Sequence, residues 1–201
     1  GSKLISDSKS RLVLDLSSLG LDSVSPDIGS LSHLIELFLY DNKLTCLPLQ
    51  IGLLKNLQRV CRNLVYFLSQ LWLQENSLTF LPDELGYCSK LTHLDIRHNR
   101  LEGCIPVVIT KFTLMKQLYL TYNKLTDISA IGNLCLLQTL VVKSNQLQGP
   151  IPDCIGNLTQ LKTLDLSKNR LTKITESSYF VFLHVFNSLF NVFTCCKKYL
   201  L

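Results

Sequence analysis

The chain has no run of basic residues beyond the Lys197-Lys198 pair, and its net charge of +5 is scattered over 201 residues. A clustered basic stripe is the electrostatic footprint of a nucleic-acid binder, so that class is set aside. There is no glycine-rich phosphate loop, and no Cys or His pair stands at metal-ligand spacing. The four histidines are His33, His93, His98 and His184, of which His93 and His98 share one segment and can face a partner. No nucleophile, base and acid come together, so the sequence predicts no enzyme, no cofactor and no metal. The eight cysteines lie at 46, 61, 88, 104, 135, 154, 195 and 196, without the paired clusters that staple small secreted domains. No apolar leader precedes Arg11. Both absences predict a reducing, cytoplasmic setting, against which the sequon Asn157-Leu158-Thr159 points the other way.

What is abundant is leucine, at 44 of 201 residues. Six asparagines, Asn42, Asn76, Asn99, Asn123, Asn145 and Asn169, each sit in the frame aliphatic-x-x-Asn-x-Leu, at spacings of 34, 23, 24, 22 and 24. Each is preceded by an apolar Leu-x-x-Leu-x-Leu-like stretch that heads at Leu34, Leu57 or Leu68, Leu91, Met115, Leu137 and Leu161. A unit recurring near 23 residues is identified as a leucine-rich repeat. The fold class is therefore an α/β leucine-rich repeat solenoid of about seven repeats. It is curved, with parallel strands on the concave face and short helical or irregular convex segments. The asparagines form a structural ladder that turns the chain and binds backbone groups of adjacent repeats. The first repeat, with Leu14, Leu16 and Leu21, carries Leu19 at the ladder position, as expected of a terminal unit that lacks one neighbour. Cys88 falls where Leu134 and Leu158 fall in later repeats, and reads as a small core hydrophobe.

Three parts follow: an arm or capping strand over 1–10, the repeat domain over 11–174, and a Phe-rich segment over 175–201. The 34-residue spacing contains 11 extra residues, and removing Val60 to Gln70 joins Leu57-Gln58-Arg59 to Leu71-Trp72-Leu73 in an unbroken strand motif. Two accounts stand. In one the third repeat carries a genuine insertion over 60–70. Leu68 then heads the strand, while Leu53, Leu54, Leu57, Val60, Cys61, Leu64 and Phe67 form an extra convex helix. In the other the segment is an unspliced intron. The uncharged stretch 177–196 is long enough to span a bilayer. Yet His184, Asn187 and Asn191 share a face opposite Phe182, Phe186, Phe190 and Phe193, the pattern of an amphipathic capping helix. Cap, artefact and membrane anchor remain open for this tail.

Residues between the strand leucines project from the concave face. One column reads Phe38, Trp72, Asp95, Tyr119, Val141 and Asp165; the next reads Tyr40, Gln74, Arg97, Thr121, Lys143 and Ser167; a third reads Asp41, Glu75, His98, Tyr122, Ser144 and Lys168. Aromatic residues and Arg on a rigid face are what protein-binding hot spots use. Phe38, Tyr40, Trp72, Arg97, His98, Tyr119 and Tyr122 are accordingly the candidate partner-binding residues. The competing reading of Phe38 and Trp72 is that they stack side by side and merely cover the strands.

The segments Leu37-Phe38-Leu39-Tyr40-Asp41-Asn42-Lys43-Leu44, Glu75-Asn76-Ser77-Leu78-Thr79-Phe80-Leu81-Pro82 and Leu94-Asp95-Ile96-Arg97-His98-Asn99 resemble the opening repeats of the Shoc/Sur family, as does Leu14-Asp15-Leu16-Ser17. The resemblance covers roughly 11–99. It implies a cytoplasmic Ras-pathway scaffold whose partners are a Ras-type GTPase and a protein phosphatase catalytic subunit. Beyond Asn99, Gly103-Cys104-Ile105-Pro106 and Gly149-Pro150-Ile151-Pro152 resemble the Gly-x-Ile-Pro turn of plant receptor-type repeats. Asp127-Ile128-Ser129-Ala130-Ile131 is similar to the 22-residue repeats of phosphatase-regulatory proteins. The sequence thus predicts a non-catalytic protein-binding adaptor. The alternative is the ligand-binding repeat segment of a receptor-like protein anchored in the membrane through 177–196.

Overall fold

The computed structural model describes residues 3–7, 11–32, 34–55, 68–173 and 175. Among them run β1 (Lys3–Asp7), β2 (Arg11–Asp15), β3 (Leu34–Phe38), β4 (Gln70–Trp72), β5 (His93–Asp95), β6 (Glu102–Cys104), β7 (Gln117–Tyr119), β8 (Lys124–Asp127), β9 (Thr139–Val141), β10 (Gln148–Pro150), β11 (Thr163–Asp165) and β12 (Arg170–Lys173). Eight of these form one sheet in the order β1-β2-β3-β4-β5-β7-β9-β11. All its pairings are parallel except β1 with β2, which is antiparallel. The fold is a leucine-rich repeat solenoid, one main-sheet strand per repeat.

Register follows from the leucine frame. Leu37, Leu71, Leu94, Leu118, Leu140 and Leu164 stand opposite one another across β3, β4, β5, β7, β9 and β11, each with no exposed surface. A one-residue slip would turn these columns to solvent, and each buried leucine contributes on the order of 1.5–3 kcal/mol. In the third repeat Leu68 heads the strand: it is fully buried, and the next residue, Ser69, donates its N–H to the Ile35 carbonyl at 2.9 Å. The extra convex helix expected upstream falls largely on 56–67, which lie outside the described residues, as do the tail 176–201 and His33.

The asparagines join repeats in one direction. Asn99 Nδ2 donates to the carbonyls of Ile96 and Arg97 in its own repeat and to Leu73 in the one before, while its Oδ1 accepts from the Leu78 N–H. Asn76, Asn123, Asn145 and Asn169 repeat this backward reach. The geometry explains Leu19. The first repeat has only the antiparallel β1 behind it, so an asparagine there would have no preceding repeat to bind. Asn169, in the last described repeat, keeps its full backward set.

One residue before the ladder position, Ser18, Asp41, Glu75, His98, Tyr122, Ser144 and Lys168 all take a left-handed backbone, with φ between 52° and 57°. This conformation is disfavoured for residues with a Cβ, and the ladder hydrogen bonds on either side hold it. The convex return is a 3₁₀ turn in six repeats, at Pro26–Ser30, Leu49–Lys55, Asp83–Tyr87, Val107–Lys111, Ser129–Asn133 and Asp153–Asn157. Proline opens one of them and stands directly before four more, since its fixed φ suits a helix start and its missing N–H has no partner there. Adjacent turns touch through glycine: a methyl on Gly29 would come within 2.8 Å of the Gln50 carbonyl oxygen, and one on Gly52 would overlap the Glu84 carbonyl.

Two small parallel sheets, β6 with β8 and β10 with β12, follow the ladder at the two Gly-x-Ile-Pro segments. Gly103 and Gly149 each sit at φ 73° there, a backbone that favours glycine. Cys88 is buried among the convex leucines and donates its thiol to the Ile51 carbonyl at 3.4 Å.

Candidate partner-binding face

Phe38 and Trp72 occupy the same register on β3 and β4, and their rings stack 5.7 Å apart at 22°. Asp95 holds that register on β5, yet the aromatic row continues. His93, two residues earlier, tilts over Trp72 with ring centres 4.2 Å apart, and Tyr119 follows His93 at 5.5 Å. Tyr40 meets the edge of Phe38 at 6.3 Å. One row of five rings therefore crosses four strands, from Tyr40 to Tyr119. Each neighbouring pair adds about 0.5–1.5 kcal/mol beyond the area it covers.

His93, expected from its segment to be able to face a partner, lies outside the set of seven candidate residues yet completes the row. It belongs to the outward column two residues earlier, Glu36, Gln70, His93, Gln117, Thr139 and Thr163, which the strand pairing aligns. The imidazole's pKa is lowered, chiefly because burial between Trp72 and Tyr119 disfavours the charged form; the Asp95 carboxylate opposes that effect in part.

Arg97 is less free than its column suggests. Its Nε donates to both Asp95 oxygens at 2.9 and 3.0 Å, and its Nη2 to Oδ2 at 2.6 Å. The Asp95 side chain is buried, and its Oδ1 also accepts the Arg97 backbone N–H at 3.1 Å. That fork raises the Arg97 pKa and holds the guanidinium carbon 5.3 Å from the Tyr119 ring centre. Asp15 and Asp165 serve the same backbone purpose in other repeats, accepting from the N–H groups of Ser17 and Ser167. An Asp in this column is thus a turn-holding residue, while an aromatic one is surface.

His98 and Tyr122 lie in the left-handed column, exposed, with rings stacked 4.4 Å apart at 27°. Of the seven candidate residues, Phe38, Tyr40, Trp72, Tyr119 and Arg97 are linked into one row, and His98 and Tyr122 make a second stack beside it. Five buried side-chain polar atoms have no hydrogen-bond partner among the described residues: Trp72 Nε1, Gln74 Oε1, His93 Nε2, Thr121 Oγ1 and Ser144 Oγ. All five belong to outward positions of the strand face. Such groups are rare in a folded chain and call for a reason.

The described residues bring together no metal-ligating cluster, and none of their helices is long and apolar enough to cross a membrane.

Two family models match, one described as Leucine rich repeat over residues 67–125 and 89–147, the other as Leucine Rich Repeat over 160–180. The chain is a leucine-rich repeat protein, and neither matching model is that of a catalytic family. No curated protein matches it at a significant level. Among solved structures it is similar to the plant peptide hormone receptor RGFR1 in complex with RGF2, at 30% identity and a TM-score of 0.61, over 75% of this chain and 23% of that one. It is similar to the repeat protein LIC12759 of Leptospira interrogans, at 30% identity and a TM-score of 0.59, over 79% and 43%. An internalin of Listeria monocytogenes matches at 29% identity and a TM-score of 0.63, over 75% and 40%. The chain spans less than half the length of each of these proteins.

Proposed function

We propose that this chain is a non-catalytic adaptor that holds a protein partner against the aromatic row of its strand face. The observation that carries the reading is the continuous ring contact from Tyr40 through Phe38, Trp72 and His93 to Tyr119 on a rigid parallel sheet. A rigid face loses little entropy on association, and large aromatics dominate binding where water is excluded around them.

The Ras-pathway form of the proposal rests on the resemblance over 11–99. In it a Ras-type GTPase and a phosphatase catalytic subunit are held by the second to fifth repeats in the cytoplasm. Titration of each purified protein into the full chain and its Trp72→Ala variant tests it. Binding by the wild type, weakened roughly tenfold or more in the variant, supports the scaffold. Absence of binding to either protein removes the pathway assignment.

A second reading is favoured by a separate observation. The sheets β6–β8 and β10–β12 form at the Gly-x-Ile-Pro segments, and the similarity to a plant peptide hormone receptor spans most of this chain. These support a receptor-type segment that takes a peptide ligand outside the cell. Asn157 is exposed at the end of a convex turn, where a glycan would fit. Expression through a secretory route distinguishes the two: a glycan on Asn157 and membrane retention favour the receptor, whereas free thiols and cytosolic recovery favour the adaptor.

A further inference from the structure

In the two columns nearest the ladder asparagines, charge is sorted along the stack, while Asp165 in the column before them is engaged by the Ser167 N–H. At the end of the strand segment the second and third repeats present Asp41 and Glu75, both exposed. The sixth presents Lys143, half-buried, and the seventh Lys168, exposed. Ladder bonds fix their relative placement: Asp41 N–H to the Gln74 carbonyl at 3.0 Å, Glu75 N–H to Arg97 at 2.9 Å, Tyr122 N–H to Lys143 at 3.1 Å. The ion pair on this face among the described residues is Arg97 with Asp95, inside one repeat. Among the described residues no ion pair engages Asp41, Glu75, Lys143 or Lys168, although the Glu75 carboxylate adds a little to the field that raises the Arg97 pKa. Between the acidic pair and the basic pair stands the exposed His98–Tyr122 stack.

We infer that the occupant of this face is an extended peptide segment of a protein partner, laid across the strands. A basic residue of that segment sits over Asp41 and Glu75, and an acidic residue over Lys143 and Lys168. The inference rests on the protein-binding reading above and adds the ligand's length and polarity. Asp41 and Lys168 are five strand steps apart, about 24 Å at the sheet spacing of about 4.8 Å, which an extended chain covers in about seven residues. Apolar or aromatic side chains between the charged ends fall over the Trp72–Tyr119 row and the His98–Tyr122 stack. The opposite polarity would set acid against acid and base against base, and like charges brought together suppress a wrong partner. Arg97 does not enter this polarity, because Asp95 already holds it. A polyanion is a poor fit, since its charge would meet Asp41 and Glu75 at one end of the face.

The test is selection from a random heptapeptide display library on the full chain, its Trp72→Ala variant, and two charge-reversed variants. These are Asp41→Lys with Glu75→Lys, and Lys143→Glu with Lys168→Glu. Asp41, Glu75 and Lys168 share one left-handed backbone, so acid and lysine both occur naturally in it, and thermal unfolding confirms that each variant folds. The expected result is enrichment on the wild type of peptides with a basic residue toward one end and an acidic residue toward the other. The Lys143→Glu with Lys168→Glu variant weakens such a peptide about tenfold at low salt, with the loss shrinking as salt rises. The same variant enriches peptides basic at both ends. Enriched peptides that depend on Trp72 but show no charge asymmetry, and bind the reversed variants equally, would overturn the polarity and leave the strand-face reading standing. No enrichment, or enrichment indifferent to Trp72→Ala, would overturn both.

Discussion

The two faces of the same short strands obey different rules. Inward, every repeat from the second to the seventh repeats one solution: an aliphatic column at fixed register, then an asparagine reaching back to the previous repeat. Outward, a column changes character along the stack. Phe38 and Trp72 give way to Asp95, then Tyr119, Val141 and Asp165 in a single column. The difference teaches where constraint comes from. Inside, each residue must match both neighbours' backbones and leave no polar group unpaired. Outside, the sheet only has to be covered or left open, so the side chains are free to be chosen by what binds there.

The inward rule is tested first, because it predicts the largest effect. Asn99→Ala removes one accepted and three donated hydrogen bonds at a buried site. It should lower unfolding stability by about 3 kcal/mol or more. Asn42 is half-buried at the start of the ladder, and its carbonyl oxygen serves N–H groups of the atypical first repeat. Asn42→Ala should lose about half as much in the same urea titration. Equal losses at the two positions would break the account of a ladder whose strength depends on burial.

An outward prediction concerns acid. The folded protein lowers the His93 pKa below that of the unfolded chain, so the neutral ring is the form that fits between Trp72 and Tyr119. The unfolded state then binds the extra proton first. The stabilisation is complete above the ordinary imidazole pKa and is lost as pH falls through it toward the lowered folded value. Unfolding curves should therefore show lower stability near about pH 5 than near about pH 7, with a shallower dependence in His93→Gln. Identical slopes in the two proteins would remove His93 from the row's energetics.

The smallest effect is expected where the two faces meet. Ser144 holds φ 54° and its hydroxyl is buried without a partner among the described residues. Ser144→Gly relieves both and should raise stability by up to about 1 kcal/mol, glycine's greater unfolded-state entropy offsetting part of the gain. Val141→Gly, in the strand just before it, has no such strain to relieve and should lower stability instead. A loss in both variants would contradict the strained-column account.

The same contrast explains how much the sequence disclosed. Inward features recur with the period, so Asn42 to Asn169, the leucine columns and the buried Cys88 could be read by aligning the chain with itself. The backward direction of the ladder could not, although Leu19 was its trace. Outward features carry no period. The frame placed Phe38, Trp72 and Tyr119 in one register, but it could not show His93 filling the gap left by Asp95. Nor could it show Arg97 folded back on that carboxylate, since both depend on side-chain reach rather than strand position. The Gly-x-Ile-Pro segments were visible as turns; that each starts a second small sheet depends on pairing with the next repeat.

The central claim is that partners are held on the strand face and not on the convex turns. The direct measurement is the affinity of a protein partner captured on the wild-type chain for Trp72→Ala and for Val107→Ala. Val107 is 69% exposed on a convex turn. The account predicts that Trp72→Ala weakens binding by about 1–2 kcal/mol or more while Val107→Ala leaves it unchanged. Loss of binding in Val107→Ala, with Trp72→Ala at wild-type affinity, would contradict it.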